Sequence, residues 1–443
     1  MKTNVASTAV AQQTYEGGTA VKQKPLLELT RAVSSCLLFE NTFYEGGDSI
    51  AQRIAGLCDE VALQDIAALA VSARTELHLR HVPLWLLVQM IRINSATKAG
   101  NPLVVETIVR VVSRADELAE LVALYWKSGR KPLAAALKRG LAQAFPKFSA
   151  FQLAKWNRDN AIKLRDVMFL VNPKPKDAEQ AEVWKRLAEQ TLEAPDTWEV
   201  ALSAGADKKA TWERLIRERA LGYMALLMNL RNMLQVGVEQ ELVEEALRNG
   251  AAKSQALPFR FLTASKHAPQ YASALSDAMV SAITEKIQGS TLMVIDVSGS
   301  MEHMLSAKGQ TSRMDAAAAL AVLFREMAPA CRVFTFSHSL VEVPNWRGLP
   351  LVEGVTRSQA HGGTYLSAAL NQLKAVAPTA DRIVVVTDEQ SHDGIIPGWG
   401  RWNYLINVAG YEPGLDVSGG WTRISGFSER MVDWMRMEES AEA

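Results

Sequence analysis

Between Pro25 and Lys286, apolar residues return every three or four positions, the spacing of one buried helix face. The stretch Val104–Gly129, VVETIVRVVSRADELAELVALYWKSG, shows it most plainly and predicts a helix. Asp196-Thr-Trp-Glu199 places an N-cap candidate, Asp196, before a further amphipathic stretch that Gly205 closes. Turns are marked at Gly100-Asn-Pro102, Gly129, Gly140, Pro146, Pro173 and Pro175. Short helices following one another without strands predict a stacked α-solenoid, whose units bury their faces only against neighbours. The repeats are inferred from this texture, since no sharp period is present.

Near Gly289 the pattern changes. Thr291–Asp296 (TLMVID) reads as a buried strand ending in an acid, and Ser312–Met327 as a helix capped by Ser312. Strand Arg332–Phe336, helix Leu366–Ala377, strand Arg382–Thr387 and the apolar run Tyr404–Val408 follow. Alternating strands and helices predict a doubly wound α/β domain with a parallel sheet covered on both faces. The chain therefore divides into a small, polar tail (1–24) expected to be flexible, a helical domain (25–286) and an α/β domain (287–443).

Ligands of such sheets sit beyond the carboxyl ends of the strands, where Asp296 and Asp388 both fall. Asp296-Val-Ser-Gly-Ser300 sets an acid and two hydroxyls at alternate positions, so three oxygens converge if the segment is extended. Thr364, in His-Gly-Gly-Thr, and Asp388, in Val-Val-Thr-Asp, add two more donors. Oxygen donors of this kind suit a hard divalent cation, Mg²⁺ first and Mn²⁺ second. Gly362 and Gly363 let the backbone turn tightly beside them. The competing reading has Ser298 and Ser300 merely capping the next element and Asp388 ending a strand. An acid-nucleophile phosphatase would need a second Asp where Ser298 stands. No phosphate-binding loop, nucleophile elbow or zinc-protease motif is present, and His361, the nearest candidate base, more often marks an ordinary glycine turn. The pattern predicts ligand capture without catalysis.

These five residues resemble the metal-ion-dependent adhesion site of von Willebrand A domains. The resemblance implies that the serines and threonine approach the ion, that the aspartates often act through water, and that one coordination position stays open. That position would suit an acidic group of a partner or a phosphate oxygen.

The formal net charge is zero and 22% of residues are charged, so only local charge can point to a partner. Lys127–Lys176 carries twelve cations against Asp159 and Asp166, a net of +10. Candidate nucleic-acid contacts are Lys127, Arg130, Lys131, Lys138, Arg139, Lys155, Arg158, Lys163 and Arg165. Trp126, Phe145, Phe148, Phe151 and Trp156 are interleaved with them. Exposed rings would stack single-stranded bases, although the three phenylalanines read more readily as core.

Several stretches resemble the TROVE module of Ro autoantigen proteins. They are Glu45-Gly-Gly47; Gln152-Leu-Ala-Lys155 with Arg165-Asp166; Pro173-Lys-Pro175; and Thr197-Trp-Glu199 with Leu202-Ser203. Lys208-Lys209 with Trp212-Glu213, Ala225–Met233 and Leu257-Pro-Phe-Arg-Phe261 complete the series. The resemblance implies a closed ring of HEAT-like helical repeats whose ends the A domain joins. It further implies a monomeric ring that binds small noncoding RNA outside and single-stranded 3′ ends in its hole, with a role in RNA quality control and a nuclease as a conceivable partner. Two positions depart from the family pattern. Asp159 stands where an Arg is usual four residues after the matching Lys155, and Asn172 replaces a His. The alternative function is a protein-interaction scaffold whose metal site captures an acidic partner.

Cys36, Cys58 and Cys331 form no C-x-x-C pair, which points to a reducing compartment. The first twenty residues lack the apolar core of a signal peptide, and no apolar run reaches membrane-spanning length. A soluble cytoplasmic protein is expected.

Overall fold

The computed structural model describes residues 25–35, 47–97, 100–129, 131–157, 160–203, 205–305, 311–409, 415, 417, 419–426 and 428–441. The expected tail, Cys36 and the Glu45-Gly-Gly47 match (apart from the backbone of Gly47) lie outside them.

The first group of helices is α1 (Pro25–Ser35), α2 (Gly47–Asp59), α3 (Leu63–Thr75), α4 (His81–Thr97) and α5 (Pro102–Val111). It continues with α6 (Ala115–Lys127), α7 (Ala135–Ala144), α8 (Ala150–Trp156), α9 (Leu164–Val171) and α10 (Ala178–Glu189). Alternate helices stack. One column is α1, α3, α5, α7 and α9; the other is α2, α4, α6, α8 and α10. Two such columns back to back are the solenoid architecture, and one apolar core runs between them. Where α7 crosses α5 the approach is close enough that a Cβ on Gly140 would lie 2.7 Å from Ile108. Phe145 closes this core edge-on against Trp184, their ring centroids 5.2 Å apart.

The Val104–Gly129 stretch is two helices, not one. Glu117 turns back to accept the backbone N–H groups of Ser113 (2.9 Å) and Arg114 (3.0 Å), which starts α6 afresh. Periodicity survives such a break because both helices bury the same kind of face.

A second group comprises α11 (Trp198–Ser203), α12 (Lys208–Arg217), α13 (Tyr223–Gln235), α14 (Gln240–Gly250), α15 (Pro258–His267) and α16 (Ala272–Ser281). Asp196 does not cap α11. Its carboxylate pairs with Arg214 at 3.0 and 3.1 Å, and the Thr197 hydroxyl accepts from Val200 N–H instead.

The α/β domain contains β1 (Ser290–Asp296), α17 (Arg313–Met327), β2 (Ala330–Phe336), β3 (Leu340–Val343) and α18 (Gly348–Thr356). After these come α19 (Leu366–Val376), β4 (Arg382–Thr387), β5 (Trp402–Asn407), β6 (Thr422–Ser425) and α20 (Met431–Ala441). The sheet order is β3-β2-β1-β4-β5-β6, parallel except for the antiparallel edge strand β3. The sequence pattern did not reveal β3, α18 or β6, each short and at or near an edge of the domain.

The helical columns do not stop at the sheet domain. α14 packs on α16 and α16 on α18, while α13 packs on α15 and α15 on α17. At the other end, α1 packs on β6 and α20. Arg31 of α1 is largely buried near Glu438, and burial lowers its pKa to about 10. The turn after α3 makes a third contact: Leu77 joins the core of the second helical group and the sheet domain. Both ends of the helical array thus meet at the α/β domain, which closes the ring.

Glu429 sits in this closure, buried, and its carboxylate accepts the Phe259 N–H at the start of α15 at 2.8 Å. Burial pushes its pKa from 4.5 up to about 8, against the pull of that N–H and of Arg260 and Arg430. A raised carboxyl pKa favours the protonated fold, so the stability it lends is complete below about 4.5 and lost as pH rises through about 8. The Glu429→Gln protein should therefore melt with the parent at pH 5 and above it at pH 8.5 in thermal-shift measurements. Parallel pH profiles would contradict this.

Candidate metal centre and nucleic-acid interface

β1 and β4 are adjacent and parallel, with Ile295 opposite Val386. That register sets Asp296 beside Thr387, whose hydroxyl donates to Asp296 Oδ2 at 2.7 Å. Asp296 Oδ1 accepts the Ser298 N–H at 2.8 Å, which bends the chain so that the Ser298 and Ser300 hydroxyls meet at 3.2 Å. Ser298 stands before a short 3₁₀ turn, yet its hydroxyl makes no capping bond there. Thr364 is buried on the neighbouring turn, and Asp388 follows β4 directly. The structure thus gathers the residues of the cradle at one rim of the sheet.

Asp296 is wholly buried; burial first, then the nearby Asp388, pushes its carboxyl up to about 6 against the hydrogen bonds from Ser298 and Thr387. One buried cation faces the pair. Arg313, 2% exposed, donates from Nη1 to Asp388 Oδ2 at 2.9 Å and to the Ser300 carbonyl at 3.3 Å. Two carboxylates against one guanidinium leave a desolvated negative excess, with the Thr387 and Ser298 hydroxyls on Asp296 and the Ser300 hydroxyl beside Ser298. This donor set fits a hard divalent cation. Among the described residues no three His, Cys, Asp or Glu side chains gather to hold a metal, so an ion here would need the hydroxyls.

His361 is not poised as a base. Its Nδ1 lies 2.5 Å from Glu302 and its Nε2 3.0 Å from the Thr356 carbonyl, so both nitrogens are engaged. Sequence reasoning missed Arg313 and Glu389. Arg313 opens a helix buried along almost its whole length, and an arginine joined to so apolar a run must be buried and paired. Glu389, buried at φ 61°, accepts both Arg423 donors at 2.8 Å and the Leu415 N–H at 3.0 Å. It ties β6 to the loop that carries Asp388.

In the basic segment, Lys127, Lys131, Lys138 and Arg139 are exposed, and Lys155, Lys163 and Arg165 half-buried. Arg130, Arg158 and Asp159 lie outside the described residues. Lys147, counted in the charge, instead donates to the Val109 and Val112 carbonyls at the end of α5, at 2.6 and 2.5 Å. Arg165 lies 3.7 Å from Asp166. Phe145 and Phe148 are core, as expected. Trp156 carries Arg114 over its ring at 4.0 Å and Lys155 at 5.7 Å. Phe151, expected in the core with Phe145 and Phe148, is instead 53% exposed, and Phe169, a ring that the sequence pattern did not single out, is 68% exposed. α8 and α9, which bear them, both pack on α6 and α10. Asn172 ends α9 in the left-handed region, φ 48°, a conformation asparagine tolerates better than histidine does.

Two family models match parts of the chain. A TROVE domain model matches residues 173–320, and a von Willebrand factor type A domain model matches 291–390, a span that contains all five cradle residues. The TROVE match covers about a third of the chain. The TROVE match begins at the end of the basic segment, whose candidate contacts all precede residue 173. Over 78 residues this protein is 41% identical to "Telomerase protein component 1" of Mus musculus and 40% to that of Rattus norvegicus. That stretch is 16% of this chain and 3% of those proteins, so the chain spans only a small part of their length. Its fold is similar to the crystal structure of the Deinococcus radiodurans RO (RSR) protein, with a TM-score of 0.64, 18% identity, and coverage of 95% of this chain and 100% of that one. No helix among the described residues is long and apolar enough to cross a membrane.

Arg313 and Asp388 should behave as a buried pair. Breaking such a pair on one side costs about 3–5 kcal/mol, so Arg313→Met should lower the denaturant midpoint of the A domain markedly. An unchanged midpoint would show that Asp388 needs no counter-charge.

Proposed function

We propose that this protein is a member of the TROVE family, a noncatalytic RNA-binding ring that takes small noncoding RNA and single-stranded 3′ ends, serving RNA quality control within a cytoplasmic ribonucleoprotein. The observation that supports the reading best is the exposure of Phe151 and Phe169 on a helical segment that also carries exposed cations. A large aromatic left in water gains nothing for folding. It does offer about 1–3 kcal/mol per stacked base, while the lysines and arginines supply sequence-independent attraction to phosphates. With Asp159 and Asn172 at the two departures, the protein is expected to prefer tailed RNAs over blunt small RNAs.

Each phosphate neutralised on a single strand contributes about −0.7 to the slope of log affinity against log salt. Lys138→Ala/Arg139→Ala/Lys155→Ala should therefore bind single-stranded RNA more weakly with a shallower slope. Phe151→Ala/Phe169→Ala should bind more weakly with the slope kept. Anisotropy titrations at several salt concentrations check both, and parent-like binding by all these variants would make the segment a solvated face.

We further infer that the A domain holds one Mg²⁺ or Mn²⁺ through Asp296, Ser298, Ser300, Thr364 and Asp388, where the ion would attract an anionic group. Asp296→Asn should lose Mn²⁺ binding in calorimetry with its circular dichroism nearly unchanged. Undiminished Mn²⁺ affinity in that variant would refute the assignment. The scaffold reading, in which an acidic protein fills the open position, would show instead as metal-dependent capture insensitive to nuclease.

A further inference from the structure

Three aromatic rings stand around the mouth of the metal cradle. His338 follows β2, Tyr365 follows the cradle residue Thr364, and His392 lies in the loop after β4. The Tyr365 ring is 5.7 Å from that of His338 and 5.5 Å from that of His392, tilted by 34° and 45°. Both histidines are exposed, and Tyr365 is 40% exposed although its neighbours Thr364 and Leu366 are buried.

The turn that carries Thr364 fixes the His338 ring and the His392 backbone. His338 Nε2 accepts the Gly363 N–H at 3.1 Å, so the ring is locked as the acceptor there. A Cβ on Gly362 would lie 2.0 Å from that same nitrogen, so the close approach of ring to backbone requires glycine. The His392 N–H donates to the Thr364 carbonyl at 2.9 Å. The start of α19 next to this turn offers no place to an external anion, because the Asp393 carboxylate already accepts the Ser367 and Ala368 N–H groups at 3.0 and 2.9 Å. An anion arriving at this rim is left with the cradle, and whatever is attached to it meets the rings.

We propose that the rim is a nucleotide subsite, in which a phosphate is drawn to the cradle's ion and its base stacks on Tyr365 between His338 and His392. The proposal rests on the reading of the cradle as a metal site. A carboxylate side chain would use the ion alone and would leave three clustered rings in water without a task. A nucleobase uses them, because every base presents a flat π-face and stacking on aromatic side chains tolerates any sequence. The shared chemistry is a phosphorylated nucleoside, free or at the 5′ end of a strand.

The test uses the full chain with Mn²⁺ and calorimetric titration of adenosine 5′-monophosphate against ribose 5-phosphate. The parent should bind the mononucleotide about tenfold more tightly, near the lower part of the range that base stacking supplies. Tyr365→Ala should lose that preference and keep its Mn²⁺ affinity, while Tyr365→Phe should retain both. A 5′-phosphorylated RNA pentamer binding more tightly than the mononucleotide would identify the strand end as the ligand, and equal binding would identify the free nucleotide; each supports the subsite. Equal affinities for mononucleotide and ribose 5-phosphate in the parent would overturn it, as would a preference that persists in Tyr365→Ala. Mn²⁺ titration alone separates the two readings. If Mn²⁺ binds without base preference, only the subsite falls; if Mn²⁺ does not bind, the metal assignment falls and takes the subsite with it.

Discussion

A stacked helical layer can bury its apolar face only against the next layer, so the first and last helices of any such array need a cover. In this protein one α/β domain covers both. α17 and α18 extend the two columns beyond α15 and α16, and β6 with α20 receives α1. The core of the second helical group is consequently continuous with that on one face of the sheet, from Trp212 through Phe261 to Phe324 and Val384. The ring follows from satisfying both ends with a single cap.

The same constraint places the chemistry. Burying α17 along almost all of its length puts Arg313 inside the domain at the start of that helix. From there it reaches Asp388 and the Ser300 carbonyl across the ends of β1 and β4. The cradle therefore sits on a rigid sheet edge, with Glu389 bracing its outer loop through Arg423. The basic segment lies on α6 to α9 of the other helical group, around a separate core. The cations of the basic segment and the oxygen donors of the cradle thus lie on different parts of the ring.

Much of this was legible in the sequence because it rests on local pattern. Helical spacing, the strands that run into Asp296 and Asp388, and the Ser312 cap all depend on residues near one another in the chain. The failures have physical causes. The break between α5 and α6 is made by Glu117 folding back onto two amides, which spacing does not encode. Asp196 was diverted from capping by Arg214, a partner in the next helix. β3 and β6 are four-residue edge strands without an uninterrupted apolar run. Arg313 and Glu389 act through burial, which only the assembled domain creates, and Phe169 is set apart from core phenylalanines by exposure alone.

If one domain closes both ends of the array, those ends should open together. Native-state hydrogen exchange at rising, sub-denaturing urea measures this directly, because segments that unfold as one unit converge on one opening free energy. The amides of α1, α16 and α17 should converge on a common isotherm. An α1 that exchanges by its own low-energy opening, while α16 and α17 stay protected, would contradict closure of the ring through the A domain.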